Sequence, residues 1–156
     1  MELTYDNILK FMKDYFKAFL EYGQDPKTAH RMEDYFAPDL EFFPYIAGNA
    51  PVSGRDKFLK LMSSHPSSLE RLTPDDIMVD EKRGAAVVLL KTEIIDAKTG
   101  EVLVTKMYHP LYQLGLDENK TIKIKKILFF EEVLPQGTLD VGDVLKRDAG
   151  IADLFL

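Results

Sequence analysis

The chain predicts an α+β domain in which a helix-rich N-terminal half packs on an antiparallel sheet built by the C-terminal half. Three observations predict it. Apolar residues recur at three- and four-residue spacing before residue 38 and again just after Gly54. From Leu69 onward the pattern changes to β-rich runs broken by turn-like stretches around Gly84, Lys98-Thr99-Gly100 and Asp117-Glu118-Asn119. Helices and strands are therefore segregated along the chain, not alternated as in a βαβ fold.

Each element has a local cause. Thr4 or Asp6 caps a first helix whose apolar stripe is Ile8, Met12, Tyr15, Phe16, Phe19 and Leu20, and Gly23 ends it. Asp25-Pro26 opens a second helix with Ala29, Met32 and Phe36 as its buried face, until Pro38 stops it. Leu40 to Tyr45 reads as the first strand, and Gly48, Pro51 and Gly54 mark a loop. Ser53 and Asp56 form a capping pair for a short third helix through Phe58, Leu59 and Met62. Four strands follow, roughly Leu69 to Val79, Ala85 to Ile95, Val102 to Leu114 and Thr121 to Val133, joined as an antiparallel meander. Residues 1–134 make one domain, and 135–156 a C-terminal extension whose apolar Val141, Val144, Leu145, Ile151, Leu154, Phe155 and Leu156 call for a surface on the same domain or on a partner subunit.

Composition narrows the function classes. A formal net charge of -6 disfavours nucleic acid as partner, because binding phosphate backbones needs clustered cations, and Lys120, Lys123, Lys125 and Lys126 are divided between two faces. Without cysteine there is no thiol nucleophile and no cysteine metal site. The acidic opening Met1-Glu2-Leu3-Thr4-Tyr5-Asp6 lacks the pattern of a leader, and no apolar run approaches the roughly 20 residues that cross a bilayer, so a cytoplasmic chain without membrane contact is expected. His30 with Glu33 or Asp34 has helical ligand spacing but no third ligand, and no phosphate-cradling glycine loop occurs, so neither metal nor cofactor is expected.

The turn at Lys98-Thr99 assigns faces, since facing residues in a hairpin share one side of the sheet. It sets Thr92 against Thr105, Leu90 against Met107 and Val88 against His109, and the next turn sets His109 against Leu128 and Met107 against Phe130. The inner face then carries Ala86, Val88, Leu90, Ile94, Leu103, Met107, Leu111, Ile124, Leu128 and Phe130. Leu89, Tyr108, Tyr112, Ile127 and Phe129 fall on the outer face among charges, which predicts a homodimer through the surface bearing Tyr108, Tyr112 and Phe129.

Tyr35-Phe36-Ala37-Pro38-Asp39-Leu40-Glu41-Phe42, Gly54-Arg55-Asp56-Lys57-Phe58 and Lys126-Ile127-Leu128-Phe129-Phe130-Glu131-Glu132 together, and in this order, resemble the NTF2-like superfamily, its polyketide-cyclase-like and steroid-isomerase-like (SnoaL-like) part in particular. The resemblance covers most of Thr4 to Val133 and implies a cone, with three helices closing one side of a curved antiparallel sheet around an apolar pocket. It implies an enzyme, a ligand binder or a docking module, and does not choose. The steroid-isomerase branch keeps its proton-shuttling aspartate just before the proline after the first strand; here Phe43 precedes Pro44, and only Glu41 is placed to substitute.

The candidate chemistry lies at His109, a general base or acid on the expected inner face, with Glu132 on the same face to orient it or act alone. Tyr15, Phe19, Phe36, Phe42, Tyr45, Thr92, Met107, Gln113, Leu128 and Phe130 are the expected ligand-binding wall, with Tyr15 a donor to a developing oxyanion. The expected ligand is small and largely hydrophobic, and any reaction an isomerase, cyclase or dehydratase type of acid–base chemistry. The alternative is a non-catalytic interaction or dimerisation module whose pocket is filled by its own aromatic side chains.

Overall fold

The computed structural model describes residues 1–45, 48–130, 134–148 and 150. Helix α1 (Tyr5–Ala18) begins at Thr4, whose extended backbone lets its Oγ1 accept the Asn7 N–H at 3.3 Å. Ile8, Met12, Tyr15 and Phe16 form one stripe, all at most 3% exposed. Each such side chain contributes on the order of 1.5–3 kcal/mol by leaving water. The helix loosens into a π turn (Phe19–Gly23) instead of ending. At Gly23 a Cβ would lie 2.8 Å from Met32 Sδ, so the close approach of the next segment requires glycine there.

That segment is a 3-10 helix (Ala29–Tyr35), and the chain is already extended at Phe36, two residues before Pro38. Proline drives its predecessor out of the helical region. Strand β1 (Phe36–Pro44) therefore contains Pro38, with a bulge between Phe36 and Glu41 where the proline has no N–H to give the ladder. Helix α2 (Arg55–Met62) follows a short strand β2 (Val52–Ser53) and is led by Gly54 at φ +100 with no side-chain cap, in place of the expected Ser53 capping pair.

The rest is β3 (Ser68–Asp80), β4 (Ala85–Asp96), β5 (Val102–Tyr108), β6 (Leu111–Leu116) and β7 (Ile122–Phe129), with a five-residue helix α3 (Val141–Leu145) in the tail. Among the described residues the sheet has seven strands in the order β2-β1-β7-β6-β4-β3, with β5 on β4 as well. All pairs are antiparallel except β1 with β7. The helix-rich N-terminal half thus packs on a curved, mostly antiparallel sheet, as expected. The single strand expected from Val102 to Leu114 is two, broken at His109-Pro110, where Pro110 is fully buried and its carbonyl accepts the Val88 N–H at 3.1 Å. β4 consequently pairs with β5 through Leu90–Ile95 and with β6 through Ala85–Val87.

The expected register holds for one pair, Ile95 with Val102, and then fails. Leu103 is an extra residue, so Ile94 faces Val104, Thr92 faces Lys106 and Leu90 faces Tyr108. A one-residue shift exchanges the two faces of a strand. The register of β6 on β4, Ala86 with Tyr112, carries the exchange on, and a second irregularity, between Gln113 and Leu114 against β7, returns Ile124 to its expected face. Ala86, Val88, Leu90 and Ile124 do face the helices, at 0–1% exposure. Met107, Leu128 and Phe130 do not: they lie on the outer face. Tyr108, Tyr112 and Phe129 lie on the inner face, with Tyr112 only 2% exposed, so the surface expected for a homodimer does not bear them.

Candidate functional site

Between α1, the π turn, α2 and the inner face of the sheet lies a cavity of about 510 Å³. Its wall is aromatic and comes from every layer: Tyr15 from α1, Phe19 from the π turn, Phe58 from α2, Phe42 and Tyr45 from β1 and beyond, and Tyr108, Tyr112 and Phe129 from β5, β6 and β7. Tyr45 stacks on Tyr108 at 5.2 Å between ring centres, and Tyr108 lies 4.8 Å from Phe129. Lys106 Nζ lies 5.9 Å from the Tyr45 ring and 6.0 Å from the Tyr108 ring.

Against this apolar wall stand a few polar groups. Glu70 of β3 faces inward, in phase with Leu72, and His65 lies on the loop after α2. His65 Nδ1 is 2.8 Å from the Ser68 carbonyl oxygen, which only accepts, so Nδ1 carries a proton, and Nε2 lies 4.0 Å from Glu70 Oε1. Burial pushes the Glu70 carboxyl above its ordinary value, with His65 pulling it back. Tyr15 and Tyr112 share a hydrogen bond; burial raises both phenols, and the nearby Glu70 charge raises Tyr15 further, so both hydroxyls stay protonated. Thr92 completes the set from the middle of β4.

Glu70 is held by an unusual device. Gln24, the residue after the π turn, donates its Nε2 to the Glu70 carbonyl at 2.6 Å and accepts the Glu70 N–H on its Oε1. β3 is the last strand of the sheet, so this carboxamide takes the place a further strand would fill.

Of the expected ligand wall, Tyr15, Phe19, Phe42, Tyr45 and Thr92 line the cavity. Phe36 is fully buried behind it, 5.1 Å from the Phe58 ring. Gln113 is exposed, Met107 and Phe130 are 45% and 59% exposed, and Leu128 is half-buried, all on the outer face. His109 is exposed at the β5–β6 junction and does not line the cavity. Glu132 lies outside the described residues. Glu41 pairs with Lys126 on the opposite face from Phe42, so it points away from the site. Glu70, His65, Lys106 and Gln24 were not anticipated. The signal available for Glu70 was its phase: two residues before Leu72, it is a carboxylate on the apolar side of an alternating strand. Among the described residues no three potential metal ligands converge, and no helix is long and apolar enough to cross a membrane.

No protein-family model and no curated protein matches the chain. Solved structures do. An NTF2-like protein of unknown function from Burkholderia pseudomallei superposes with a TM-score of 0.55 at 16% identity, over 80% of this chain and 91% of that one. An epoxide hydrolase/cyclase-like enzyme of pyran-ring formation in salinomycin gives 0.58 at 13% identity, over 80% and 90%. A ketosteroid isomerase-like protein from Erwinia carotovora gives 0.55 at 16% identity, over 78% and 91%. At these identities the likeness is one of fold, and the fold is the NTF2-like one that the helix-to-strand junction resembles.

Proposed function

We propose that the cavity binds a small, largely apolar molecule and that Glu70, with His65, supplies acid–base chemistry to it without metal. The observation that carries this is a cavity whose aromatic wall also holds a half-buried carboxylate, a histidine with its Nε2 4.0 Å from that carboxylate, and a pair of protonated tyrosine hydroxyls. A carboxylate made more basic by burial is suited to taking a proton from carbon beside a carbonyl, and preorganised hydroxyls to steadying the enolate oxygen. The fold neighbours named as cyclase-like and isomerase-like are compatible with that chemistry. The competing reading, a docking module with a pocket filled by its own side chains, is disfavoured by the open volume of about 510 Å³.

A homodimer remains part of this reading, now through the outer face of the sheet as it stands, with residues 1–134 as the domain and the extension reaching a partner. Val141 is 70% exposed and no residue of α3 is buried, which favours the partner over the same domain.

The test is α-proton exchange of 2-tetralone in deuterium oxide, followed by NMR. The wild type should accelerate exchange, and Glu70→Gln should remove at least about a hundredfold of that acceleration. No acceleration by the wild type, with no small molecule retained in a native mass spectrum, would remove the reading.

A further inference from the structure

We propose that Thr92 is the recognition point for the ligand, which carries an uncharged hydrogen-bonding oxygen, a carbonyl or a hydroxyl, within an otherwise apolar body. The proposal rests on the cavity reading above and deepens it by assigning a residue that holds the ligand's oxygen.

Thr92 is 6% exposed and its Oγ1 is buried without a hydrogen-bond partner. A buried hydroxyl left unpaired costs about 1–3 kcal/mol, and such groups are few in native proteins, so one kept on a cavity wall calls for a partner that arrives from outside. Its neighbours on the inner face do not supply one. Leu72 and Lys106 flank it across the sheet and Leu90 and Ile94 along β4, and none of them bonds Oγ1. The charge pattern selects against ions. Lys106 sits directly across on one side, and Glu70, paired with Ile94, is the diagonal neighbour on the other, roughly 7–8 Å away. Between opposite charges neither a carboxylate nor an ammonium is favoured, whereas a neutral oxygen bonds a hydroxyl that both donates and accepts. Oγ1 is shut off from solvent, so meeting the ligand takes a turn from one staggered χ1 well to another.

The experiment pairs 9-fluorenone, a planar ketone, with fluorene, a hydrocarbon of nearly the same outline, in ligand-observed NMR titrations of wild type, Thr92→Val and Thr92→Ser, with melting of each protein alone. Thr92→Val should weaken fluorenone about tenfold, leave fluorene unchanged, and melt no lower than the wild type; Thr92→Ser should keep the preference for the ketone. A fall in melting temperature of more than about 4 °C in Thr92→Val would show that the hydroxyl already has a structural partner and overturn the proposal. Equal responses of the two probes to Thr92→Val would overturn it while leaving the cavity reading intact. Failure of both probes to bind the wild type would remove the cavity reading and the proposal with it.

Discussion

Glu70 shows how one side chain couples the site to stability. Its carboxyl is raised above its ordinary 4.5 by burial, so the folded chain holds that proton more tightly than the unfolded one. The stability this confers is full below the ordinary carboxylate value and is lost as pH rises through the raised folded value. Glu70→Gln should therefore match the wild type in urea melts near pH 4 and exceed it at pH 7 to 8; a gap that ran the other way would place the carboxylate in a stabilising ion pair with His65. The sequence has three histidines, and strand alternation ranks His109 first, which the structure places outside the cavity. His109 read as the inner residue because its neighbours alternate correctly in an unbroken strand, whereas His65, before Pro66, looked like a plain loop residue. What makes His65 relevant is a contact with Glu70 that depends on the path of a loop, and loop paths carry no periodicity.

At the scale of elements, the edge of the sheet depends on a side chain from another segment. Without Gln24 the Glu70 N–H and carbonyl face outward unpaired. Gln24→Ala should cost about 1–2 kcal/mol in denaturant unfolding and speed exchange of the Glu70 amide, with little change at the core amides of β4. The elements themselves were largely legible: α1, α2, β3 and β4 begin and end within a few residues of their capping and turn signals. The faces of β5 and β6 were not. The bulge at Leu103 inserts one residue after a hairpin whose first pair, Ile95 with Val102, was correctly placed, and an apolar residue gives no sign that it stands outside the ladder. Four of the ten expected wall residues, Met107, Gln113, Leu128 and Phe130, lie on the other side of the sheet for that reason, while Tyr15, Phe19, Phe42, Tyr45 and Thr92, on elements upstream of the bulge, line the cavity.

Across the whole molecule the corrected faces leave an apolar row on the uncovered side. Met78, Val87, Leu111, Leu128 and Phe43 lie in register across β3, β4, β6, β7 and β1, a span of roughly 19 Å at ordinary strand spacing, and Phe130 packs on Phe43 at 5.8 Å. Phe130 is 59% exposed, so Phe130→Glu should fold normally. If this face joins two copies, sedimentation should show a wild-type dimer and a monomeric variant; a wild-type monomer at high concentration would remove the dimer. The same sheet also ends in a 13-residue strand, β3, whose middle carries Pro74, a register irregularity between Pro74 and Asp76, and the pair Asp75-Asp76. A long outer strand is ordinarily a template on which further chains add and fibrils start. Here a missing N–H, a kink and two like charges interrupt the template at its centre. The chain can therefore present an apolar sheet face to a partner while its sheet edge resists aggregation.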